Sequence, residues 1–317
     1  MTTEPLVIAL EEHYWDADII ASSGMGGRAA AIQDRLLDLG ELRLKEMDEA
    51  GIDIQVISHA PPGSQALNPE AAVELSAQAN DRLREVVAAR PDRFSAFAVL
   101  PVIDPPAAAD ELERAVTRLG FKGAMIHGLL QGRFLDGKEF WPVYERAAAL
   151  DVPIYVHPAA PHPAVVDAYY GDYIKDFPSI ATSGWGYTVE TATQAIRLVL
   201  SGVCDAYPGI KFILGHMGES IPFSLWRIDE GFSRGGNRSI AFRNVFSEHF
   251  WITTSGNFST PALLCSMLEL GVDRILFSVD WPFVENGPGT KWLKEAPISA
   301  EDKAKIFSGN ARRLLKI

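Results

Sequence analysis

Short apolar runs and longer amphipathic stretches alternate eight times along the 317 residues of this chain. The short runs are rich in β-branched residues and predict strands, whereas the longer stretches have helical spacing. A strand followed by a helix, repeated eight times, is the pattern of a (β/α)8 barrel. The predicted strands are 5–10, 52–58, 94–101, 123–128, 153–157, 211–216, 250–255 and 274–280. The predicted helices are about 39–50, 69–90, 106–119, 136–149, 187–206, 219–232, 260–270 and 300–315.

A doubly wound open sheet would show a similar alternation. Candidate ligands at the ends of strands one, five, six and eight favour the closed α/β form, because in an open sheet those ends would lie several strand spacings apart. We therefore expect a single domain over residues 1–317, a TIM barrel with extended loops at its C-terminal face. The long loops 14–38, 158–186 and 281–299 begin at such strand ends, and they either shape specificity or only cap the barrel or form an oligomer contact.

The composition is that of an ordinary globular protein, with 47% apolar and 22% charged residues. The net charge of −12 argues against nucleic acid or an anionic membrane as a partner, so an anionic substrate would need a metal or a buried Arg. We find no signal-peptide pattern and no apolar stretch long enough to span a membrane. Cys204 and Cys265 are expected to be unpaired, which suits a cytoplasmic location.

Four residues at predicted strand ends have the chemistry of metal ligands. Glu11 and His13 are two apart on an extended chain, so their side chains leave one face and that of Glu12 leaves the other. His157 and Asp280 end strands five and eight and can meet them across the barrel top. Two imidazoles and two carboxylates suit Zn²⁺ or Mn²⁺. Taken singly, each residue could instead be a hydrogen-bonded or helix-capping residue.

His216 lies between glycines at the end of strand six, and Glu219 three residues later can fix its tautomer. We predict an acid/base or substrate-orienting role for His216, although a fifth metal ligand or a helix-entry residue remains open. Arg227 on the next helix could grip a substrate carboxylate, or pair on the surface with a neighbouring acid. The other histidines divide by position: His127 and His59 end strands and could line a pocket, whereas His162 and His249 are expected to be structural or solvated.

Several of these motifs together resemble the amidohydrolase-superfamily decarboxylases, with the γ-resorcylate and 2,3-dihydroxybenzoate decarboxylases as the most similar branch. Aminocarboxymuconate-semialdehyde and 5-carboxyvanillate decarboxylases are more distant. The resemblance covers nearly the whole chain in order. Its motifs are Ala9–His13, Tyr155–Pro158, Trp185–Thr191, Leu214–Glu219, Leu225–Asp229 and Phe277–Phe283.

The resemblance implies one divalent metal held by Glu11, His13, His157 and Asp280, and a homo-oligomer, either a homodimer or a homotetramer. It also implies His216, Glu219 and Arg227 as active-site residues. We further expect three other residues to contact the substrate, namely Trp185, His127 and Phe283.

The expected reaction is non-oxidative decarboxylation of a hydroxyaromatic or related unsaturated acid. Asp280 is the candidate donor of a proton to the carbon that loses CO₂. A hydrolase in which Asp280 deprotonates a metal-bound water is the main alternative, and a non-catalytic binding protein is a third. No organic cofactor is expected, since no glycine-rich nucleotide loop is evident.

Overall fold

All the β-strands are parallel and neighbour one another in chain order. The computed structural model describes residues 5–24, 30–234, 236 and 238–317, with only the backbone of Ala30. The strands are β1 (Ile8–Tyr14), β2 (Ile54–His59), β3 (Phe94–Ala96), β4 (Ala98–Val99), β5 (Ala124–His127), β6 (Pro153–His157), β7 (Lys211–Leu214), β8 (Phe250–Thr253) and β9 (Ile275–Leu276).

Two sets of hydrogen bonds join the strands into a barrel of eight strand positions. Segments β3 and β4 form one strand divided at Phe97: the Phe97 N–H donates to Ile57 O on one side, and the Ala98 N–H donates to Gly123 O on the other. Beyond β9, Trp281 O accepts the N–H of His13 at 2.7 Å, so the last strand position lies beside the first. The predicted (β/α)8 barrel is thereby confirmed.

Helices follow each strand and cover the outside of the barrel. Their longer members are α1 (Ala17–Ser23), α2 (Ala30–Leu37), α3 (Glu41–Ala50), α4 (Pro69–Ala89), α5 (Pro105–Thr117), α6 (Trp141–Leu150), α7 (Gly186–Ser201), α8 (Ile221–Ser233), α9 (Phe242–His249), α10 (Thr260–Leu270), α11 (Asn286–Glu295), α12 (Ala300–Ala304) and α13 (Asn310–Leu315). Shorter turns are Gly63–Ala66, Lys138–Phe140, Pro163–Val165, Val166–Tyr170, Pro178–Ala181, Val203–Ala206, Val272–Arg274 and Lys305–Gly309.

Local sequence signals set several helix boundaries. The Asn68 side chain accepts the N–H of Ala71 and caps α4, and Asp104 caps α5 in the same way. Each cap is followed by proline at the first helical position, where the missing N–H costs nothing. The expected single helix over 187–206 is wrong in one respect, because Gly202 adopts φ +85° and divides it into α7 and a short turn.

Other expectations from the sequence need correction. Strand β1 continues to Tyr14, so Glu11 and His13 lie within it rather than after it, and both are fully buried. The expected loops 14–38 and 281–299 contain helices α1, α2 and α11, which are too short to show clear periodicity. Part of the first loop, residues 25–29 with Gly26 and Gly27, lies outside the described residues.

The core has two parts separated by the strands. Inward-facing Ile8 and Leu10 belong to a cluster inside the barrel, whereas Val7 and Ala9 pack outward against the helices, as the alternation of side chains along a strand requires. No helix in the described ranges is long and apolar enough to cross a membrane. The two cysteines are unpaired, as expected, with Cys204 buried and Cys265 half-buried.

Candidate metal centre and active site

Four side chains at the C-terminal end of the barrel meet at one point. Glu11, His13, His157 and Asp280 each offer one ligand atom, and these atoms lie within 4.8 Å of one another. His13 Nε2 lies 3.2 Å from Asp280 Oδ1, and His157 Nε2 lies 3.2 Å from Glu11 Oε1. Ligand bonds of about 2.0–2.2 Å around one cation place neighbouring donors about 3.0–3.6 Å apart. The predicted ligand set therefore converges on one point, and two of its donor pairs already have the spacing that one metal ion requires.

The donor atoms of this group also lack other partners. Within the part of the chain that the structure describes, Glu11 Oε1, His13 Nε2 and Asp280 Oδ1 are buried and have no hydrogen bond of acceptable geometry. Buried polar atoms are almost always satisfied, so three orphans facing one point indicate a ligand. A mixed nitrogen and oxygen set suits a divalent cation such as Mn²⁺ or Zn²⁺.

The outer oxygen of Glu11 is fixed by hydroxyl groups from two strands. Tyr155 of β6 and Ser255 just after β8 donate hydrogen bonds to Glu11 Oε2, and Thr253 Oγ1 lies 3.5 Å from it. A side chain at Gly215 would not fit here, since its Cβ would lie 2.7 Å from Glu11 Oε2. These contacts leave Oε1 directed at the metal centre.

Hydrogen bonds also set the orientation of the two imidazoles. His157 Nδ1 lies 2.8 Å from Pro158 O and donates to it, which leaves the Nε2 lone pair for the metal. His13 Nδ1 lies 3.4 Å from Ser58 Oγ. Burial lowers the pKa of His13, which keeps the ring in the neutral form that a metal ligand needs.

The charges around Glu11 favour its ionised form. Burial alone raises the pKa of a carboxyl group, but the charge of His216 and the interaction with His157 outweigh it and hold the pKa of Glu11 well below its usual range. Glu11 is therefore a carboxylate across the physiological pH range.

His216 is presented by a left-handed turn. All five residues from His216 to Ser220 have φ between +50° and +71°. Such a run is costly for residues other than glycine, and it places His216 Nε2 3.8 Å from Asp280 Oδ2. At Gly218 a Cβ would lie 2.7 Å from Ile252 Cγ2, so the turn packs closely onto β8.

Glu219 holds the other side of the His216 ring. Its Oε1 accepts from His216 Nδ1 at 2.8 Å, as predicted from the three-residue spacing. Burial lowers the pKa of His216, but Glu219, Glu11 and Asp280 raise it well above its usual value. A cation bound by Glu11 and Asp280 would offset two of these three charges.

A cavity of about 800 Å³ opens above the metal centre. His157, His216, Glu219, Asp280 and Phe283 contribute to its wall. The other polar side chains of the lining are neutral, and they are Thr182, Ser183, Tyr187, Thr188, Ser220, Asn257 and Ser259. No Lys or Arg lines this cavity among the described residues, so the metal centre and His216 are its sources of positive charge.

The predicted substrate contacts are placed differently. Phe283 lines the cavity, with its ring centroid 5.5 Å from that of His13. His127 lies buried behind the wall, edge-on to His157 at 5.0 Å, and Gln65 fixes its backbone. Trp185 and Arg227 are exposed and are not brought to the cavity of their own chain.

The remaining histidines have structural partners. His59 accepts the N–H of Asp16 at 3.0 Å, and His249 Nδ1 lies 2.9 Å from Ile210 O. His162 is exposed and accepts the N–H of Ala164, which caps a short turn. None of the three lines the cavity.

Sequence reasoning missed the hydroxyl groups that hold Glu11. Tyr155 lies two residues before His157 on β6, so the alternation of side chains placed both on the inner face. The polar run from Thr253 to Asn257 after β8 was a second signal, because polar residues that end a barrel strand face the active-site end.

The comparison with protein families agrees with this geometry. The family described as amidohydrolase matches residues 11–317. The chain belongs to the amidohydrolase family. Among its curated relatives is the γ-resorcylate decarboxylase of Polaromonas sp. (strain JS666), which is 41% identical over 325 residues and covers 98% of both chains.

Solved structures show the same similarity. A 2,6-dihydroxybenzoate decarboxylase in complex with 2,6-dihydroxybenzoate has a TM-score of 0.90 at 40% identity and covers 99% of this chain and 100% of its own. A dihydroxybenzoic acid decarboxylase from Polaromonas sp. JS666, with bound manganese and the inhibitor 2-nitroresorcinol, has a TM-score of 0.90 at 39% identity, covering 98% of this chain and 97% of its own.

Proposed function

We propose that this protein is a metal-dependent, non-oxidative decarboxylase of aromatic carboxylic acids that carry an ortho hydroxyl group. The observation that carries the proposal is the convergence of Glu11, His13, His157 and Asp280 at the base of a cavity, in a chain 41% identical to a γ-resorcylate decarboxylase. A bound divalent cation would supply a template and a Lewis acid for the carboxylate and its neighbouring hydroxyl.

The cavity suits a small aromatic acid. Its volume of about 800 Å³ accommodates a single substituted ring with room to spare. Phe283 and Val284 offer apolar contact to a ring, and hydroxyl-bearing residues such as Tyr187 and Thr188 can bind ring substituents. With no Lys or Arg in the described lining, the substrate carboxylate has to bind at the metal end.

Asp280 is the proposed proton donor. Its Oδ1 faces His13, and its Oδ2 points into the cavity toward His216. In the proposed reaction the Asp280 carboxyl gives its proton to the ring carbon that bears the carboxylate. The electrons of the carbon–carboxylate bond then return to the ring, CO₂ leaves, and aromaticity is restored.

His216 and Glu219 are proposed to orient the substrate. The hydrogen bond between them fixes the ring, so His216 Nε2 faces the cavity and can bind a substrate hydroxyl oxygen. His127 is proposed to act on the site through the ring of His157, which it contacts edge-on. Its Nδ1 is buried and has no hydrogen-bond partner among the described residues.

A hydrolase could use the same ligand set, with Asp280 deprotonating a water. The decarboxylase is favoured because the three relatives described above are named as decarboxylases. Metal quantitation followed by a screen of hydroxybenzoates with CO₂ detection, beside a panel of esters and lactones, separates the two. Hydrolysis without CO₂ release would overturn the proposal.

The role of Asp280 is tested by Asp280→Asn. We expect turnover to fall at least about 10³-fold while part of the bound metal remains, because the amide cannot deliver the proton. Single-turnover CO₂ release and metal content are measured on the same sample. Activity within about tenfold of the wild type would remove Asp280 from the mechanism.

We also propose that single-domain chains assemble into a homodimer or homotetramer in the cytoplasm. The two unpaired cysteines are compatible with that location. Helices α8 and α10 pack together and expose Phe223, Trp226 and Leu268. Arg227 lies on the same helix, so its proposed contact with substrate would need a second copy of the chain.

A further inference from the structure

The backbone of Asp280 is held in an unfavourable conformation. Its φ is +78°, in the left-handed region that residues other than glycine adopt only when the surroundings impose it. The conformation matters because it directs one carboxylate oxygen of Asp280 toward His13 and the other toward His216. Some other group must therefore stabilise the backbone on both sides of Asp280.

Glu12 provides that stabilisation from the next strand position. Its Oε1 accepts the N–H of Val279 at 2.9 Å, and its Oε2 accepts the N–H of Trp281 at 3.2 Å. These N–H groups belong to the residues immediately before and after Asp280. The hydroxyl of Ser278 donates to Oε1 as well, at 3.2 Å. The carboxylate of Glu12 thus binds the backbone on both sides of Asp280, whose conformation is strained.

The carboxylate of Glu12 is itself fixed by a buried network behind β1. Gln55 Nε2 lies 3.4 Å from Glu12 Oε2, and Arg43 donates to Gln55 Oε1 at 3.1 Å. The Arg43 guanidinium, fully buried, lies 4.0 Å over the Trp281 ring and supplies a positive charge near Glu12. All the groups that bond Glu12 are donors, and they favour a carboxylate. Burial raises the pKa of Glu12 to about 8, against the lowering effect of the Val279 and Trp281 N–H groups and of Arg43.

Chain order adds a further constraint. Glu12 stands between the two ligands Glu11 and His13, and its side chain leaves the opposite face of β1, as the sequence predicted. A displacement of this short segment would therefore move both ligands and the loop of Asp280 together. The strand couples three of the four metal-centre residues.

We propose that Glu12 is a positioning residue that acts through Asp280. Its carboxylate clamps the peptide groups of Val279 and Trp281 and so sets the direction of the Asp280 side chain toward the metal and the substrate. The inference rests on the proposed role of Asp280, and a double-mutant cycle separates the two.

The cycle combines Glu12→Gln and Asp280→Asn, with Mn²⁺ affinity measured by chelator competition and kcat by CO₂ release. We expect Glu12→Gln alone to weaken Mn²⁺ binding by about tenfold or more, and to lower kcat as well, as loss of an outer hydrogen-bond partner does. In the Asp280→Asn background the same change should alter Mn²⁺ affinity by less than about threefold. Equal effects in both backgrounds would overturn the proposal.

Two further variants separate geometry from charge and from general destabilisation. Glu12→Asp keeps a carboxyl group on the side of Arg43 but withdraws it from the peptide groups, so it should behave like Glu12→Gln. Glu111→Gln alters another buried glutamate, held by Asn80 and Arg114 on the helix layer, and should leave Mn²⁺ affinity unchanged. Wild-type behaviour of Glu12→Asp would assign Glu12 to charge balance and refute the clamp.

Different results would refute the proposed role of Asp280 and the proposed role of Glu12. If Asp280→Asn retains both Mn²⁺ affinity and turnover, the role of Asp280 itself is wrong. If Asp280→Asn is inactive but the effects of Glu12→Gln are additive to it, only the positioning role of Glu12 is wrong.

Discussion

Three of the metal-centre residues, Glu11, His13 and His157, have one side-chain atom directed at the centre and another in contact with the surrounding protein. Glu11 shows the division most clearly, since Oε2 is held by hydroxyls while Oε1 has no hydrogen bond of acceptable geometry among the described residues. His157 does the same with its two ring nitrogens. Such outer contacts lower the cost of ordering a ligand when the metal binds.

Tyr155→Phe tests this division at the level of one hydroxyl. Removing one of the hydroxyl donors to Glu11 Oε2 should weaken Mn²⁺ binding by about 10–100-fold, because the Glu11 side chain is then held less firmly. Chelator competition measures the affinity. As a matched control, Tyr144→Phe removes a buried hydroxyl that donates to Leu135 O far from the centre, and it should leave the affinity unchanged. Equal losses in the two variants would contradict this role of the Tyr155 hydroxyl.

At the scale of residues, the sequence predicts the metal ligands but not the residues that hold those ligands in place. The ligands could be predicted because acidic and imidazole side chains rarely occur together at several barrel strand ends unless they bind a metal. The roles of Glu12 and Ser255 could not be predicted, because they depend on contacts between β1, β8 and the loop after β9, which lie some 240 to 270 residues apart in sequence. No local pattern encodes such a contact.

At the scale of elements, short helices were the hardest to predict. Helix α1 has only seven residues, and its start depends on Asp16, whose side chain accepts the N–H groups of Asp18 and Ile19. The same carboxylate forms two hydrogen bonds of 2.8 Å with Arg82 of α4. The helix is thus fixed by a distant partner rather than by its own periodicity.

Asp16→Asn gives a pH-dependent test of that link. Burial raises the pKa of Asp16, but Arg82 and the Ile19 N–H lower it below its usual value, so its stabilising effect is present above about pH 4 and is lost as the pH falls through the folded-state pKa. We expect a loss of about 1.5–3 kcal/mol in unfolding free energy at pH 7. The difference from wild type should shrink below pH 4.

Urea denaturation at several pH values measures both effects. Asp18→Asn is the matched control, since Asp18 is exposed and pairs with the same Arg82 at 3.1 Å. It should cost no more than about 0.5 kcal/mol at any pH. A difference for Asp16→Asn that persists unchanged at pH 3 would show that the charge is not responsible.

At the scale of the whole molecule, the exposed apolar side chains are unevenly placed. Phe223 and Leu268 are 85% and 87% exposed on the adjoining helices α8 and α10. Large apolar residues at such exposure are typical of surfaces that associate. This is the basis for proposing that two copies meet there.

The double variant Phe223→Glu and Leu268→Glu should convert the assembly to a smaller species, because four like charges would face each other across a two-fold contact. Light scattering after size exclusion measures the mass. Leu200→Glu, on an exposed position of α7, is the control and should leave the mass unchanged. An unaltered mass for the double variant would place the contact elsewhere.

The filled interior of the barrel limits the routes by which substrate can enter and products can leave. Beneath Tyr155 the axis is packed by Leu10, Phe97 and Met125, and at the far end Leu314 and Leu315 of α13 complete the same cluster. No passage is left along this axis within the described residues. The ring acid, the CO₂ and the decarboxylated ring must all pass through the mouth of the cavity. Product release and substrate entry therefore use the same opening and cannot occur at the same time.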